Sequence, residues 1–281
     1  IGSVENENNN IKLLGLGIAP VLDSFKKGAI TNRNNLIEQL EIAVTEAETM
    51  ADKKVDSAYM TITGDHIRCM NTQGAIALNR NKANGTISND PISQRDINKV
   101  LELTQGIALP PDRDILHTIP QEFIVDTLEK IDNPIGLSGR RLEGHVHLVT
   151  ASTSGMENLI ESAEELGINI NGLVFKPLAS AIPTLTKDEM KLGVSLIDIG
   201  STTTSIAVFY EGAVRHSAVI PVGSSSITND IAVMLRISIE EAEKIKIKYA
   251  SAKASLSSQK LKFEIPNSDN NQMISENELS Q

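Results

Sequence analysis

Residues 193–208 read G-V-S-L-I-D-I-G-S-T-T-T-S-I-A-V and predict a β-hairpin with a polar turn. An apolar run leads to Asp198, then Gly200 and three threonines, and an alternating strand follows through Ile206 and Val208. A turn of this kind points several backbone N–H groups at one place, so it binds phosphate well, and a neighbouring carboxylate can hold Mg²⁺ through water. Asp198 would be that carboxylate. The alternative is an ordinary hairpin in which the aspartate and glycine only form the turn.

The same stretch resembles the second phosphate loop of actin-superfamily ATPases, usually D-x-G-G-G-T. Further stretches resemble one branch of that superfamily, the FtsA family of bacterial cell-division proteins, and they extend over most of positions 10 to 265 in that family's order. These stretches are P-P-D-R-D-I-L-H-T-I-P-Q-E-F-I-V-D (110–126), P-I-G-L-S-G-R-R-L-E (134–143), H-V-H-L-V-T (145–150), R-H-S-A-V-I-P-V-G (215–223) and I-T-N-D-I-A (227–232). The resemblance implies an α/β fold of actin-like (ribonuclease H-like) lobes, with a small α+β subdomain inserted in the first lobe.

The resemblance also implies a ligand and its contacts. ATP is the expected ligand, with Mg²⁺ held through water by Asp198, and no catalytic residue is predicted. Glu243 and Lys246 have the E-x-x-K spacing that relatives place against the nucleoside, although the spacing alone favours an ion pair on a solvated helix face. The full set of predicted contacts is Asp198, Gly200, Ser201, Thr202, Thr203, Thr204, Gly223, Glu243 and Lys246.

Two departures from the family pattern predict that ATP is bound but at most slowly hydrolysed. Lys176 stands near the turn where many relatives carry the acidic or amide residue that helps to place the attacking water. Ser201 and Thr202 replace two glycines, and a β-branched residue would be strained there if the turn required positive φ. Their hydroxyls would offer compensating donors to phosphate oxygens.

Composition limits the class of protein. The 281 residues are 40% apolar, enough for a substantial buried core, and the formal charge of −10 opposes binding to nucleic acid or to an anionic membrane surface. The one cysteine, Cys69, excludes an internal disulfide and fits a reducing cytoplasm. No apolar run approaches the roughly 18 residues that span a bilayer, so the chain is expected to be soluble.

The resemblance divides the chain into four parts. Residues 1–66 form the first part of the first lobe, 67–143 the inserted subdomain, 144–192 the rest of that lobe, and 193–281 the start of the second lobe. The opening resembles the family's second strand, and the end falls just inside the fourth subdomain. We therefore expect a fragment truncated at both ends, lacking a first phosphate loop upstream and an adenosine loop downstream.

Local patterns predict individual elements. A strand over 11–18, a helix capped by Asn35 with Glu38, and a strand over 55–64 form the first βαβ unit. Later helices begin at capping pairs or after turns, and one strand closes the pattern before a polar tail without helical period. The predicted capping pairs are Ser93 with Asp96, Ser154 with Glu157 and Ser238 with Glu241, and a further helix is expected from Thr228. Pro110 is expected to end the first of these helices, and Pro183 to break another. The last predicted strand covers residues 261–265.

The histidines invite one further hypothesis. His145 and His147 fall on one face of an alternating strand, as a metal pair would. Without a cysteine or third ligand nearby, packed or half-exposed strand positions are the better interpretation.

Three functions fit the sequence. The first is an ATP-binding, actin-like cell-division protein that self-associates into filaments and links the division ring, through FtsZ and other divisome proteins, to the inner face of the membrane. In that family a C-terminal helix, absent from this chain, makes the membrane contact. The second is an ATPase-type activator enzyme, which is opposed by the position of the turn near residue 200 and by the single cysteine, too few for a cysteine-ligated cluster. The third is a nucleotide-independent scaffold.

Overall fold

The computed structural model describes residues 1–5, 10–20, 24–78, 80–81, 87–88, 90–265 and 273–280. Two compact units make up the chain. Unit 1 comprises Ile1–Asp198 and Thr203–Pro221, and unit 2 comprises Ile199–Thr202 and Val222–Gln281. The chain therefore passes from one unit to the other within the turn that the sequence singled out.

Unit 1 contains most of the strands. They are β1 (Gly2–Glu5), β2 (Asn10–Leu13), β3 (Phe25–Lys26), β4 (Ala29–Ile30), β5 (Ser57–Ile62), β6 (Arg68–Ala77), β7 (Arg80–Asn81), β8 (Ile87–Ser88), β9 (Arg113–Val125), β10 (Leu128–Ile131), β11 (Arg141–Ser152), β12 (Asn169–Phe175), β13 (Val194–Ile199), β14 (Thr204–Tyr210) and β15 (Ala213–Ile220). Its helices are α1 (Arg33–Ala51), α2 (Gln94–Thr104), α3 (Thr153–Glu164), α4 (Lys176–Thr184) and α5 (Lys187–Leu192).

Three sheets of unit 1 position the candidate site. β5 and β12 pair in parallel with Ile62 opposite Phe175, so the residues that follow them, Thr63 and Lys176, start from the same sheet edge. β13, β14 and β15 form a second sheet in that order, which confirms the predicted hairpin. The third has the order β10-β9-β11-β6.

The first predicted strand is shorter than expected. β2 ends at Leu13 instead of continuing to residue 18, because the chain then crosses α1 too closely for a ladder. A Cβ on Gly17 would lie 1.7 Å from the Ala43 carbonyl oxygen, and the Ile18 N–H donates to Glu46.

Several helix boundaries differ from the predictions. Asn32, not Asn35, caps α1, because its side chain accepts the N–H of Asn35. In the same way Ser152, not Ser154, caps α3 by accepting the N–H of Gly155. Each true cap lies two or three residues before the predicted one, since two polar residues in each segment had suitable spacing.

The helix ends also differ. α2 stops at Thr104, before Pro110, because the next two N–H groups, of Gln105 and Gly106, bond to carbonyls only three residues back. The predicted break at Pro183 is confirmed, since α4 ends at Thr184.

The strands and helix of the predicted insert share a core. The capping box of Ser93 with Asp96 is present, and α2 buries Ile97, Val100 and Thr104, with Val100 fully buried. The core joins α2 to β6, β9 and β11 through Ile76, Leu78, Ile92, Ile97, Val100, Phe123, Val125 and Leu142. The boundaries 67–143 remain a prediction.

Unit 2 is smaller and mainly helical. Its elements are α6 (Ser224–Leu235), α7 (Ile239–Tyr249), a 3₁₀ helix (Ala254–Leu256), β16 (Lys262–Glu264), β17 (Met273–Ser275) and α8 (Glu276–Leu279). α6 begins four residues before the predicted Thr228, with Gly223 at its N-cap. Residues 273–280 of the predicted polar tail have regular structure, because β17 pairs with β16 and Ser275 caps α8.

The capping box of α7 is expected to stabilise unit 2 measurably. Ser238 accepts the N–H of Glu241, whose carboxylate accepts the N–H and hydroxyl of Ser238. Ser238→Ala should therefore lower the free energy of unfolding by about 1 kcal/mol in urea titrations. Ser195→Ala, on an exposed position of β13, is the control and should change little. Equal effects of both substitutions would contradict a capping role.

Candidate functional site

The turn between β13 and β14 holds the predicted phosphate contacts. Ser201 is exposed and Thr202 is half-buried, whereas the side chain of Thr203 is buried and Thr204 begins β14. Neither Ser201 nor Thr202 is among the residues with positive φ. The expected strain of a β-branched residue is therefore absent, and the turn accommodates Thr202 without it.

The carbonyls of this turn are fixed by the start of α6. The N–H of Ser224 donates to Gly200 O at 3.0 Å, and the N–H and hydroxyl of Ser225 donate to Ser201 O at 2.9 and 2.7 Å. Within the described part of the chain, the backbone N–H groups of Ser201 and Thr202 donate no hydrogen bond. The turn thus keeps its carbonyls engaged and its donors available, which suits an anion.

Gly223 allows the start of α6 to approach the backbone of the turn closely. A Cβ at this position would lie 2.4 Å from Ser201 O and 2.5 Å from Gly200 O. Its φ of −152° is open to any residue, so space and not backbone conformation requires glycine. The N–H groups of Ser224 and Ser225 are already bonded to the turn, so the start of α6 holds the loop and does not itself offer these donors to a ligand.

Asp198, the predicted metal-side carboxylate, is bonded on both oxygens. Lys176 Nζ lies 3.0 Å from Oδ1, and the Ser180 hydroxyl donates to Oδ2 at 2.8 Å. Burial alone would raise the pKa of Asp198, but the hydrogen bonds from Lys176 and Ser180 and the lysine charge lower it below its usual value. Asp198 is therefore ionised and paired at neutral pH.

The sequence singled out Lys176 but did not predict this ion pair, and it missed Ser180. Lys176 is the first residue of α4, directly after β12, and Ser180 follows one turn later on the same helix face. No local signal points from them to Asp198, because β12 and β13 belong to different sheets.

Glu243 and Lys246 form the predicted ion pair, in which the Glu243 side chain is 44% exposed and Lys246 is largely covered. Lys246 Nζ lies 2.6 Å from Glu243 Oε2 and is hydrogen-bonded to Thr228 Oγ1 and Ser224 O, which leaves its side chain 14% exposed. The hydrogen bonds from Lys246 and then from Thr228 lower the pKa of Glu243. The pair ties α7 to the first turns of α6, and a nucleoside contact remains a prediction.

His145 and His147 have different surroundings. His145 lies between the carboxylates of Glu122 and Glu143, at 3.2 and 3.1 Å. His147 is buried, with Nδ1 2.7 Å from Asn71 Oδ1 and Nε2 2.7 Å from Ser217 Oγ. Over the described ranges, no group of three or more His, Cys, Asp or Glu side chains is arranged to hold a metal ion.

Two family models match the chain. The model described as "Cell division protein FtsA" matches residues 195–280, and the one described as "SHS2 domain inserted in FTSA" matches residues 64–150. Proteins named "Cell division protein FtsA" are similar over most of the chain. The identity is 39% over 249 residues in Pseudomonas aeruginosa, 38% over 252 residues in Neisseria meningitidis and 33% over 256 residues in Escherichia coli K12.

These relatives are longer than the chain. The alignments cover 89%, 90% and 91% of this chain but 57%, 58% and 59% of the respective relatives. Among solved structures, a chain of the "PilM-PilN type IV pilus biogenesis complex" is similar with a TM-score of 0.60 and 16% identity. That match covers 88% of this chain and 66% of the other.

No helix in the described portion of the chain combines the length and the apolar content that crossing a bilayer needs.

Proposed function

We propose, from the premise that this chain belongs to the FtsA family of cell division proteins, that the whole protein binds ATP as an actin-like assembly component. The chain has an actin-like α/β fold, and the match to the inserted SHS2 domain agrees with the family resemblance seen in the sequence. ATP would serve mainly as a structural ligand, with slow turnover or none.

One observation carries the proposal of ATP. Among the residues that the structure describes, none accepts a hydrogen bond from the backbone N–H groups of Ser201 and Thr202, while the carbonyls of Gly200 and Ser201 are fixed by the first residues of α6. Such a turn offers donors to a phosphate without further rearrangement. The hydroxyls of Ser201 and Thr202 add donors, whereas that of Thr203 is buried and does not.

The finer parts of the proposal rest on the family. We propose self-association into filaments, contact with FtsZ and other divisome proteins, and a place at the cytoplasmic face of the membrane at the division site. Residues 67–143 would carry a partner contact.

Mg²⁺ is the second predicted ligand, and at Asp198 it would compete with Lys176 for the same carboxylate. Both carboxylate oxygens already accept hydrogen bonds, and Lys176 balances the charge. No part of the proposed binding is therefore assigned to a metal at this residue.

The substitution Ser201→Glu tests the phosphate site. Its side chain is exposed, so the fold should persist, while the new carboxylate would repel the phosphates. We expect ATP affinity of the whole protein, measured by calorimetry, to fall at least about tenfold, corresponding to roughly 1.4 kcal/mol.

Ser195→Glu introduces the same charge at an exposed position near the other end of β13 and is the matched control. It should leave ATP affinity unchanged. Absence of ATP binding by the unsubstituted protein would favour the nucleotide-independent scaffold, and equal losses in both variants would move the phosphate away from the turn.

A further inference from the structure

Strand β12 contains one residue too many for its pairing with β5. Ile170 lies opposite Ala58, but the next residue of β5, Tyr59, lies opposite Gly172. Asn171 is therefore a one-residue bulge that has no partner position on β5. Because a bulged residue falls outside the ladder, the hydrogen bonds of the sheet do not fix its backbone as they fix that of its neighbours.

The side chain of Asn171 is open to water. Asn171 is exposed, and its Nδ2 donates one hydrogen bond of 3.2 Å to the hydroxyl of Ser57, which is exposed as well. Within the described ranges, no donor reaches its Oδ1. A single hydrogen bond at the surface holds an amide weakly, because water competes for both groups.

The residue after Asn171 is a glycine, which matters for reactions between this side chain and the main chain. The main-chain nitrogen that follows an asparagine can attack the side-chain carbonyl carbon and close a five-membered ring. A Cβ on the following residue crowds this approach, and Gly172 has none. The fold itself does not require glycine here. Gly172 is not among the glycines with positive φ, and an added Cβ would meet only the ring of Tyr59, at 3.5 Å.

We propose that Asn171 is a site of spontaneous deamidation in the folded protein. The nitrogen of Gly172 gives its proton to water and bonds to Cγ of Asn171, while the bond from Cγ to Nδ2 breaks and ammonia leaves with that proton. Water then opens the resulting succinimide at either carbonyl, which gives aspartate or isoaspartate. One water is consumed and one ammonia is released, so the reaction needs no oxidant, cofactor or enzyme.

The product differs from asparagine in charge and, for isoaspartate, in the path of the main chain. Both products place a carboxylate beside Ser57 where the amide stood. Isoaspartate also carries the main chain through the former side chain, which adds one methylene group to β12 at the bulge. Because the bulge already lies outside the ladder, we expect the aged protein to remain folded. The inference does not depend on nucleotide binding.

The test follows individual asparagines in the whole protein during incubation at mildly alkaline pH, by peptide mapping with tandem mass spectrometry. Asn171 should convert to aspartate and isoaspartate at least about tenfold faster than Asn169. Asn169 is the matched internal control, because it is exposed on the same strand but lies opposite Ser57 in the ladder. Its N–H donates to Asp56 O, and Ile170 follows it.

A substitution and a chemical probe identify the mechanism. Gly172→Ala should slow the conversion of Asn171 at least about tenfold, and thermal unfolding establishes that the variant is folded. An isoaspartyl methyltransferase with a labelled methyl donor should label the peptide that contains residue 171 in aged unsubstituted protein. The chain has a second Asn-Gly pair at residues 84–85, outside the described residues, so only the peptide with residue 171 is scored.

Incubation in urea gives the conversion rate of the unfolded chain. A rate at Asn171 in the folded protein more than about a hundredfold below that in urea would overturn the inference, because the strand would then protect the residue. Equal rates at Asn171 and Asn169, or an undiminished rate in Gly172→Ala, would overturn it too. None of these results bears on ATP binding, so the proposed function is tested separately.

Discussion

His147→Leu is expected to lower the free energy of unfolding by about 3 kcal/mol, because it removes a buried ring bonded on both nitrogens. His147 connects Asn71 of β6 to Ser217 of β15, and only 1% of its surface is exposed. Leucine would leave the Ser217 hydroxyl and the Asn71 carbonyl without this partner. Urea unfolding measures the loss.

The neighbouring exposed histidine is the matched control. His216→Leu should change the free energy of unfolding by less than about 0.5 kcal/mol, since exposed positions away from special contacts tolerate substitution. Similar losses of unfolding free energy in the two variants would show that the hydrogen bonds of His147 make no specific contribution to stability.

His147 also makes the stability of the fold depend on pH. Burial, together with the nearby charge of His216, lowers the pKa of His147 to about 4, whereas an unfolded histidine has a pKa near 6.5. The unfolded chain therefore binds the proton first as the pH falls. Stability is lost between about pH 6.5 and pH 4, and His147 should account for about 2 kcal/mol of the loss between pH 7 and pH 5.

Two other histidines contribute with the same sign. Burial lowers the pKa of His66 and of His117. Part of the pH dependence of stability should therefore remain when His147 is replaced. The pH 7 to pH 5 loss should thus be smaller in His147→Leu, by about 2 kcal/mol, whereas His216→Leu removes only the smaller cause of the lowered pKa and should keep most of the loss. An unchanged loss in His147→Leu would contradict a neutral buried imidazole.

Gly223→Ala is expected to disrupt the candidate phosphate turn and to lower the free energy of unfolding of unit 2 by about 3 kcal/mol. The added Cβ would meet Ser201 O at 2.4 Å, Gly200 O at 2.5 Å and Ser201 C at 2.6 Å. All three are backbone atoms, so no side-chain rotation can relieve the contact. The turn would have to move away from α6.

Hydrogen exchange locates the effect. The N–H groups of Ser224 and Ser225 donate to the turn and should exchange faster in Gly223→Ala. In the whole protein, Gly223→Ala should also lower the affinity for ATP. Gly172→Ala is the control, because its Cβ would make only an ordinary 3.5 Å contact with the ring of Tyr59. Unchanged exchange at both serines would argue against the close approach.

Much of the local structure could be predicted from neighbouring residues. The alternation of residues 193–208 predicted the hairpin of β13 and β14, and the pairs Ser93 with Asp96 and Ser238 with Glu241 predicted two capped helices. Such signals act within one strand or one helical turn, so the residues that cause them are adjacent in sequence. The family was also recognisable, because its motifs are short and contiguous.

Where local signals were duplicated, the sequence did not decide between them. Asn32 and Asn35 both stand near the start of α1, and Ser152 and Ser154 both stand near the start of α3, yet only the first of each pair caps its helix. The choice depends on where the preceding chain packs. The polar end of the chain likewise contains β17 only because β16 offers a partner strand.

The sequence by itself determined the hairpin and the family, and it singled out the turn between β13 and β14 as a candidate site. Only the tertiary structure decided that Lys176 neutralises Asp198, that α6 holds the carbonyls of Gly200 and Ser201, and that His147 bonds to Ser217, 70 residues away. These pairs lie on different elements, and their distances are set by the packing of whole sheets and helices. A charge or hydroxyl identifies its own chemistry in the sequence, but its partner is chosen by the fold that brings the two together.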